Sequence, residues 1–138
     1  MYFLALICFP ARDFPAQKCE IFDGGESLPS FPTTYSHHKG KLGMYNQQPT
    51  TVGSVDYVYG NRIVESLGEN GWVRLNDHPR DIHSHNLVGL DSGAMLTIGG
   101  IERDGFGSKE YISDVWMLKN NSWTLLEHLL GVYLHGCV

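Results

Sequence analysis

Seven histidines are the residues of this chain most able to do chemistry: His37 beside His38, His83 two positions before His85, and His78, His128 and His135. Imidazoles two apart lie on one face of a strand and could join a metal site. However, HNLV (85–88) lies over HGCV (135–138) at an offset of 50, with His85 on His135. A histidine that recurs with a repeat is expected to pack or to hydrogen-bond, so no metal site is assigned. Asp23, Asp77, Asp81, Asp91 and Asp104 fall at turns, where side-chain bonds to the backbone account for them. No nucleophile elbow, P-loop or dinucleotide fingerprint occurs, and Gly99, Gly100, Gly105 and Gly107 are too irregularly spaced for one. The chain is therefore read as a non-enzyme, with no catalytic residue, metal or cofactor. Of the three cysteines, Cys8 and Cys19 could face each other on neighbouring strands, as a disulfide in an exported protein or as two buried thiols. Cys137 has no partner in that scheme, and no Cys/His spacing suggests zinc.

The elements that must position these residues are strands. Glycine is abundant (16 of 138 residues), alanine is confined to Ala5, Ala11, Ala16 and Ala94, and aromatic residues make up 12%. That balance favours strands and tight turns over helices. The hydrophobic share of 42% supports a packed core. A net charge of −5 argues against a nucleic-acid surface. No apolar run is long enough for a helical membrane span. Tyr2 to Phe9 has no basic residue ahead of it, so it reads as a buried strand rather than a signal peptide, and the compartment stays open between cytoplasm and secretion.

An internal repeat organises the chain. KLGMYNQQPTTVGS (41–54) aligns with LVGLDSGAMLTIGG (87–100) at an offset of 46, placing Gly43 on Gly89, Thr51 on Thr97, Val52 on Ile98 and Gly53 on Gly99. RIVESLGENGWVRL (62–75) aligns with SDVWMLKNNSWTLL (113–126) at an offset of 51, placing Val64 on Val115, Leu67 on Leu118 and Trp72 on Trp123. Each unit reads as four strands, at 86–91, 94–100, 112–119 and 122–127 in the clearer copy. Asp91-Ser92-Gly93 and Asn120-Asn121 are its hairpin turns, Asn70-Gly71 is the strongest turn signal of the other copy, and 76–85 and 101–111 are loops. Residues 2–9 and 18–24 supply the second and third strands of an earlier unit.

A four-stranded unit of this length suggests a β-propeller. Gly99-Gly100 closes the apolar strand LTIGG, Trp116 follows on the third strand, and Trp123 comes after six intervening residues. A diglycine, an aromatic and a spaced tryptophan resemble the kelch signature. The earlier copy departs from it, with Gly53-Ser54 for the diglycine and Glu65 for the aromatic, but keeps Trp72. The resemblance implies an all-β, incomplete kelch-type propeller of four-stranded antiparallel blades. Residues 1–34 would be a partial divergent blade, 35–81 a divergent kelch-like blade, 82–130 a kelch blade and 131–138 the start of another. In that frame Gly99, Gly100, Trp116, Trp123 and Trp72 are structural.

Propeller loops present side chains from a rigid scaffold. Here loops 10–17, 55–61 and 101–111 would share a rim with 76–85 and 28–38. Arg80, His83, Arg103 and Phe106 are the candidate binding residues on it, with Arg12 and Lys109 nearby and Asp13, Asp81, Glu102 and Asp104 among them. The expected function is a protein–protein interaction module whose partner is a protein or peptide, with neither nucleic acid nor membrane. Two alternatives stand beside it: the substrate-recognition part of a ubiquitin-ligase adaptor, and a fragment of a carbohydrate-active or galactose-oxidase-like propeller enzyme. The end blades would leave open strand edges, to be covered by the rest of a longer propeller or by self-association.

Overall fold

Period-two alternation broken by turn residues makes antiparallel hairpins, and the chain is all-β. The computed structural model describes residues 5–9, 18–22, 27–28, 33, 37, 41–56, 59–103, 106 and 108–128, with no helix among them. β1 (Ala5–Phe9), β2 (Lys18–Phe22) and β3 (Ser27–Leu28) form one antiparallel sheet. Its register sets Cys8 directly opposite Cys19, the neighbouring-strand placement expected from the sequence.

β4 (Lys41–Tyr45), β5 (Gln48–Asp56), β6 (Tyr59–Gly68) and β7 (Gly71–Arg74) pair in sequence order as the first complete unit. β8 (Ile82–His83) follows within the 76–85 connection. The second unit pairs β9 (Asn86–Gly89) with β10 (Met95–Ile98), β10 with β13 (Asp114–Lys119), and β13 with β14 (Ser122–His128). Between β10 and β13 the chain makes a further hairpin of β11 (Ile101–Arg103) and β12 (Lys109–Tyr111). The stretches 76–85 and 101–111 are thus not plain loops. β8 bonds to β11, and Ile82 pairs with Asn61 of β6, so one ladder ties the connections to the first unit. Residues 10–17 and 131–138, with the calls made on them, lie outside the described residues.

The registers test the repeat residue by residue. Thr51 pairs with Glu65 and Thr97 with Trp116; Val52 pairs with Val64 and Ile98 with Val115; Leu67 pairs with Trp72 and Leu118 with Trp123. The second, third and fourth strands therefore correspond as aligned. The first strands do not. Leu42 pairs with Thr51 and Leu87 with Thr97, so Leu42 corresponds to Leu87, and Gly43 to Val88 rather than Gly89. The reason is turn length. Asn46-Gln47 closes the first hairpin in two residues, both at positive φ (48° and 63°), whereas Asp91-Ser92-Gly93 takes three, with Gly93 at 95°. The β6–β7 turn likewise centres on Glu69-Asn70, and Gly71 opens β7.

The core lies between the two units. Tyr45, Val52 and Val64 of the first meet Met95 and Leu118 of the second, with Ile82 and Ile112 from the connections, and Leu75, Leu87 and Trp123 pack against them. Two sheet faces bury each other, as in stacked-sheet proteins. Polar seams hold the edges: the Asn121 amide donates to Tyr45 Oη at 2.9 Å, the Asn76 amide to Asn121 Oδ1 at 2.9 Å, and Trp123 Nε1 to the Asn76 carbonyl at 3.0 Å.

The aligned glycines adopt the positive φ expected of them: 65° at Gly53, which sits at a bulge inside β5, and 64° and 114° at Gly99 and Gly100, which follow β10. A Cβ on Gly53 would lie 2.2 Å from the Ile82 carbonyl oxygen, a backbone atom that cannot step aside. Gly53→Ala is expected to cost more than about 2 kcal/mol, read as a lowered urea midpoint.

Candidate functional site

The 76–85 connection, β11 and β12 gather the expected binding residues at one end of the units, and most of them are anchored there. Arg80 donates through Nε to Asp114 Oδ2 at 2.9 Å and through Nη1 to Glu102 Oε1 at 3.2 Å. Asp114 is buried and also accepts from Trp116 Nε1 at 3.1 Å. Arg80 is therefore a brace between the connection and the second unit, with little charge to spare for a partner. His83, 3% exposed, accepts at Nε2 from Arg103 Nε at 3.1 Å. An arginine can only donate, so the imidazole is neutral, with its proton on Nδ1 directed to Ser84 Oγ at 2.9 Å. His83 supports Arg103 from beneath.

Phe106 stands at the tip of the β11–β12 hairpin and is 97% exposed. Tyr111, which the sequence did not single out, is also exposed, with Lys109 Nζ 5.0 Å from its ring centroid. The register sets Arg103 directly opposite Lys109. Like charges in that position oppose pairing, and neither has a carboxylate partner among the described residues. Glu102 lies opposite Glu110, but there Arg80 supplies the counter-charge. A shallow cavity of about 160 Å³ lies beside them, lined by Glu102, Ser108, Lys109 and Glu110. At the neighbouring edge Arg62 forks onto Asp81, with contacts of 3.1 and 3.3 Å, and that hydrogen bonding raises its pKa. Arg12, Asp13 and Asp104 lie outside the described residues.

The structural positions behave differently from the rim. Trp116 and Trp123 meet the edge of the buried His78 ring, with centroids 6.0 and 4.7 Å away. His78 accepts from the Arg80 amide at Nδ1 and donates from Nε2 to Thr97 Oγ1 at 3.0 Å. Burial pushes its pKa down to about 4. Trp72 is half-buried opposite Leu67. Glu65, the departure from the aromatic pattern, has a physical reason. It is fully buried against His37, with Nε2 and Oε2 2.6 Å apart, and His37 Nδ1 donates to the Gly53 carbonyl at 3.0 Å. A hydrogen-bonded histidine–glutamate pair stands where Trp116 stands in the next unit.

His85 is wholly buried and packs against Gly100. Neither ring nitrogen has a hydrogen-bond partner among the described residues, and burial lowers its pKa to about 3. Ser84, at φ 56°, interrupts the strand between His83 and His85. Among the described residues no three His, Cys, Asp or Glu side chains are grouped to hold a metal ion. A larger groove of about 520 Å³ lies elsewhere, along the β4–β5 and β9–β10 turns, and Asp91 is its one ionisable lining residue among those described.

No family model matches the chain, and no curated protein is detectably similar to it.

Proposed function

We propose that these units are blades of a kelch-type propeller and that the chain serves as a protein–protein interaction module, gripping an acidic, aromatic-containing peptide through the β11–β12 hairpin. The observation that carries the site is the cross-strand pair Arg103–Lys109 beside the fully presented Phe106. Two cations held opposite each other, with no carboxylate partner among the described residues, cost pairing energy that an acidic partner would return. Phe106 offers a large apolar surface that contributes nothing to the core. The blade reading is supported by the matching registers of the second to fourth strands, the glycines at positive φ and the tryptophan on the outer strand of each unit.

Selection of a displayed random-peptide library on the purified chain tests the site. Enriched peptides are expected to combine Asp or Glu with an aromatic residue, and to bind roughly tenfold more weakly to Phe106→Ala and to Arg103→Glu. Phe106→Ala should leave thermal stability unchanged, because the ring is almost entirely in solvent. Failure to enrich any sequence, or binding indifferent to both substitutions, would overturn the assignment.

A further inference from the structure

Directly paired residues of an antiparallel ladder share a face of the sheet. The β1–β2 ladder runs Ala5–Phe22, Leu6–Ile21, Ile7–Glu20, Cys8–Cys19 and Phe9–Lys18. Leu6, Cys8, Cys19 and Ile21 therefore belong to one face, with Leu28 of β3 opposite Ile21. Lys18, Glu20 and Ser27 belong to the other. The two cysteines thus stand directly opposite each other in a set of residues that carries no charge. β3 pairs with Ile21 and Phe22, at one end of the ladder. The other end, where Cys8 and Cys19 lie one rung from the last, is two-stranded among the described residues. A two-stranded ladder is marginal in water without further support.

From this register we infer that Cys8 and Cys19 form a disulfide, a clasp that does for the two-stranded end what β3 does for the other. Opposed residues have Cα atoms about 4.5 or about 5.5 Å apart, according to the type of rung, and a disulfide spans both separations. The bond forms by exchange with an oxidised disulfide of the glutathione type. One cysteine thiolate attacks it, releases a glutathione thiolate and leaves a mixed disulfide on the protein. The facing thiolate then attacks the protein sulfur and releases the second glutathione. Two protein thiols are oxidised, one glutathione disulfide is reduced to two thiols, and each cysteine proton passes to a released glutathione. Because the ladder holds the two cysteines in register, the second attack is an intramolecular step between neighbours.

Equilibration of the full chain in a buffer of reduced and oxidised glutathione, quenched by alkylation and read by mass spectrometry, is the test. Trypsin cuts after Arg12, Lys18 and Lys39, so the bond leaves the 1–12 peptide joined to the 19–39 peptide. That species is expected both from the natural chain and from Cys137→Ser, at the mass of a single chain less two hydrogens. The bond closes the short ring 8–19. Its closure constant against glutathione is expected to be roughly a hundredfold larger in the folded chain than in urea, the factor by which such a ring favours the folded state. Cys8 and Cys19 both alkylated, or held as glutathione adducts, would overturn the inference. So would a bond from either one to Cys137 or to another copy. A closure constant unchanged by urea would overturn it too, because the register would then contribute nothing.

Discussion

Between pH 6.5 and pH 4 the protein is expected to lose about 6 kcal/mol of folding stability, enough to unfold a domain of ordinary stability. Two histidines account for it. Burial holds His78 at about 4; the Arg80 backbone and the Asp114 carboxylate favour its protonation, while Arg62 and Arg80 oppose it. Burial holds His85 at about 3, and every charged neighbour acting on it, His78, His83, Lys41 and His37, is a cation or becomes one in acid. Both imidazoles are neutral in the folded chain, but in the unfolded chain they take up protons below about 6.5. The unfolded state then binds more protons. Stability is therefore complete above that value and falls as the pH drops, by about 3 kcal/mol for each histidine at pH 4. His85→Leu separates the two contributions. It removes two ring nitrogens without partners among the described residues, so neutral stability should hold or rise, while the acid loss should shrink by about half. Urea midpoints measured across this range decide the matter. A flat profile, or a His85→Leu profile identical to that of the parent, would contradict it.

Trp123→Ala should cost roughly 3–5 kcal/mol. The ring packs against the buried cluster of Tyr45, Val52, Val64, Met95 and Leu118, and its centroid lies 4.7 Å from that of His78. Its Nε1 also donates to the Asn76 carbonyl, fastening β14 to the segment that leaves the first unit. Truncation opens a cavity and releases that carbonyl together, so both units lose cohesion. Leu125→Ala, two residues along the same strand and 40% exposed, should stay within about 0.5 kcal/mol. Urea denaturation followed by circular dichroism measures both, and a Trp123→Ala loss no larger than that of Leu125→Ala would refute the ring's role as the inter-unit fastening.

Much of the fold was legible because strand pairing obeys local rules. Apolar alternation and the asparagine-rich turns located the four strands of each unit, and the repeat predicted pairs such as Leu118 with Trp123. The slip of one residue in the first strands was hidden. Sequence alignment prefers to stack Gly43 on Gly89, whereas the real spacing depends on whether a turn closes in two residues or three. The β11–β12 hairpin was missed for a related reason: its strands are short and polar, and β11 is held by β8, which lies far from the turn.

The sequence grouped the candidate binding residues by neighbouring loops, and the structure adds the bonds that each of them makes. Arg80, His83, Arg103 and Phe106 come together as expected of neighbouring loops, yet Arg80 is bound by Glu102 and Asp114, and His83 is buried under Arg103. Among the described rim residues, Phe106 and the Arg103–Lys109 pair remain presented, with Tyr111 beside them. The sequence alone determined the all-β class, the four-stranded unit and the glycine and tryptophan positions, because these follow from local backbone geometry and side-chain periodicity. The tertiary structure decided which charges are spent in braces and which histidines are stripped of water. Those outcomes depend on what each side chain meets across the space between two sheets, and no spacing along the chain encodes that distance.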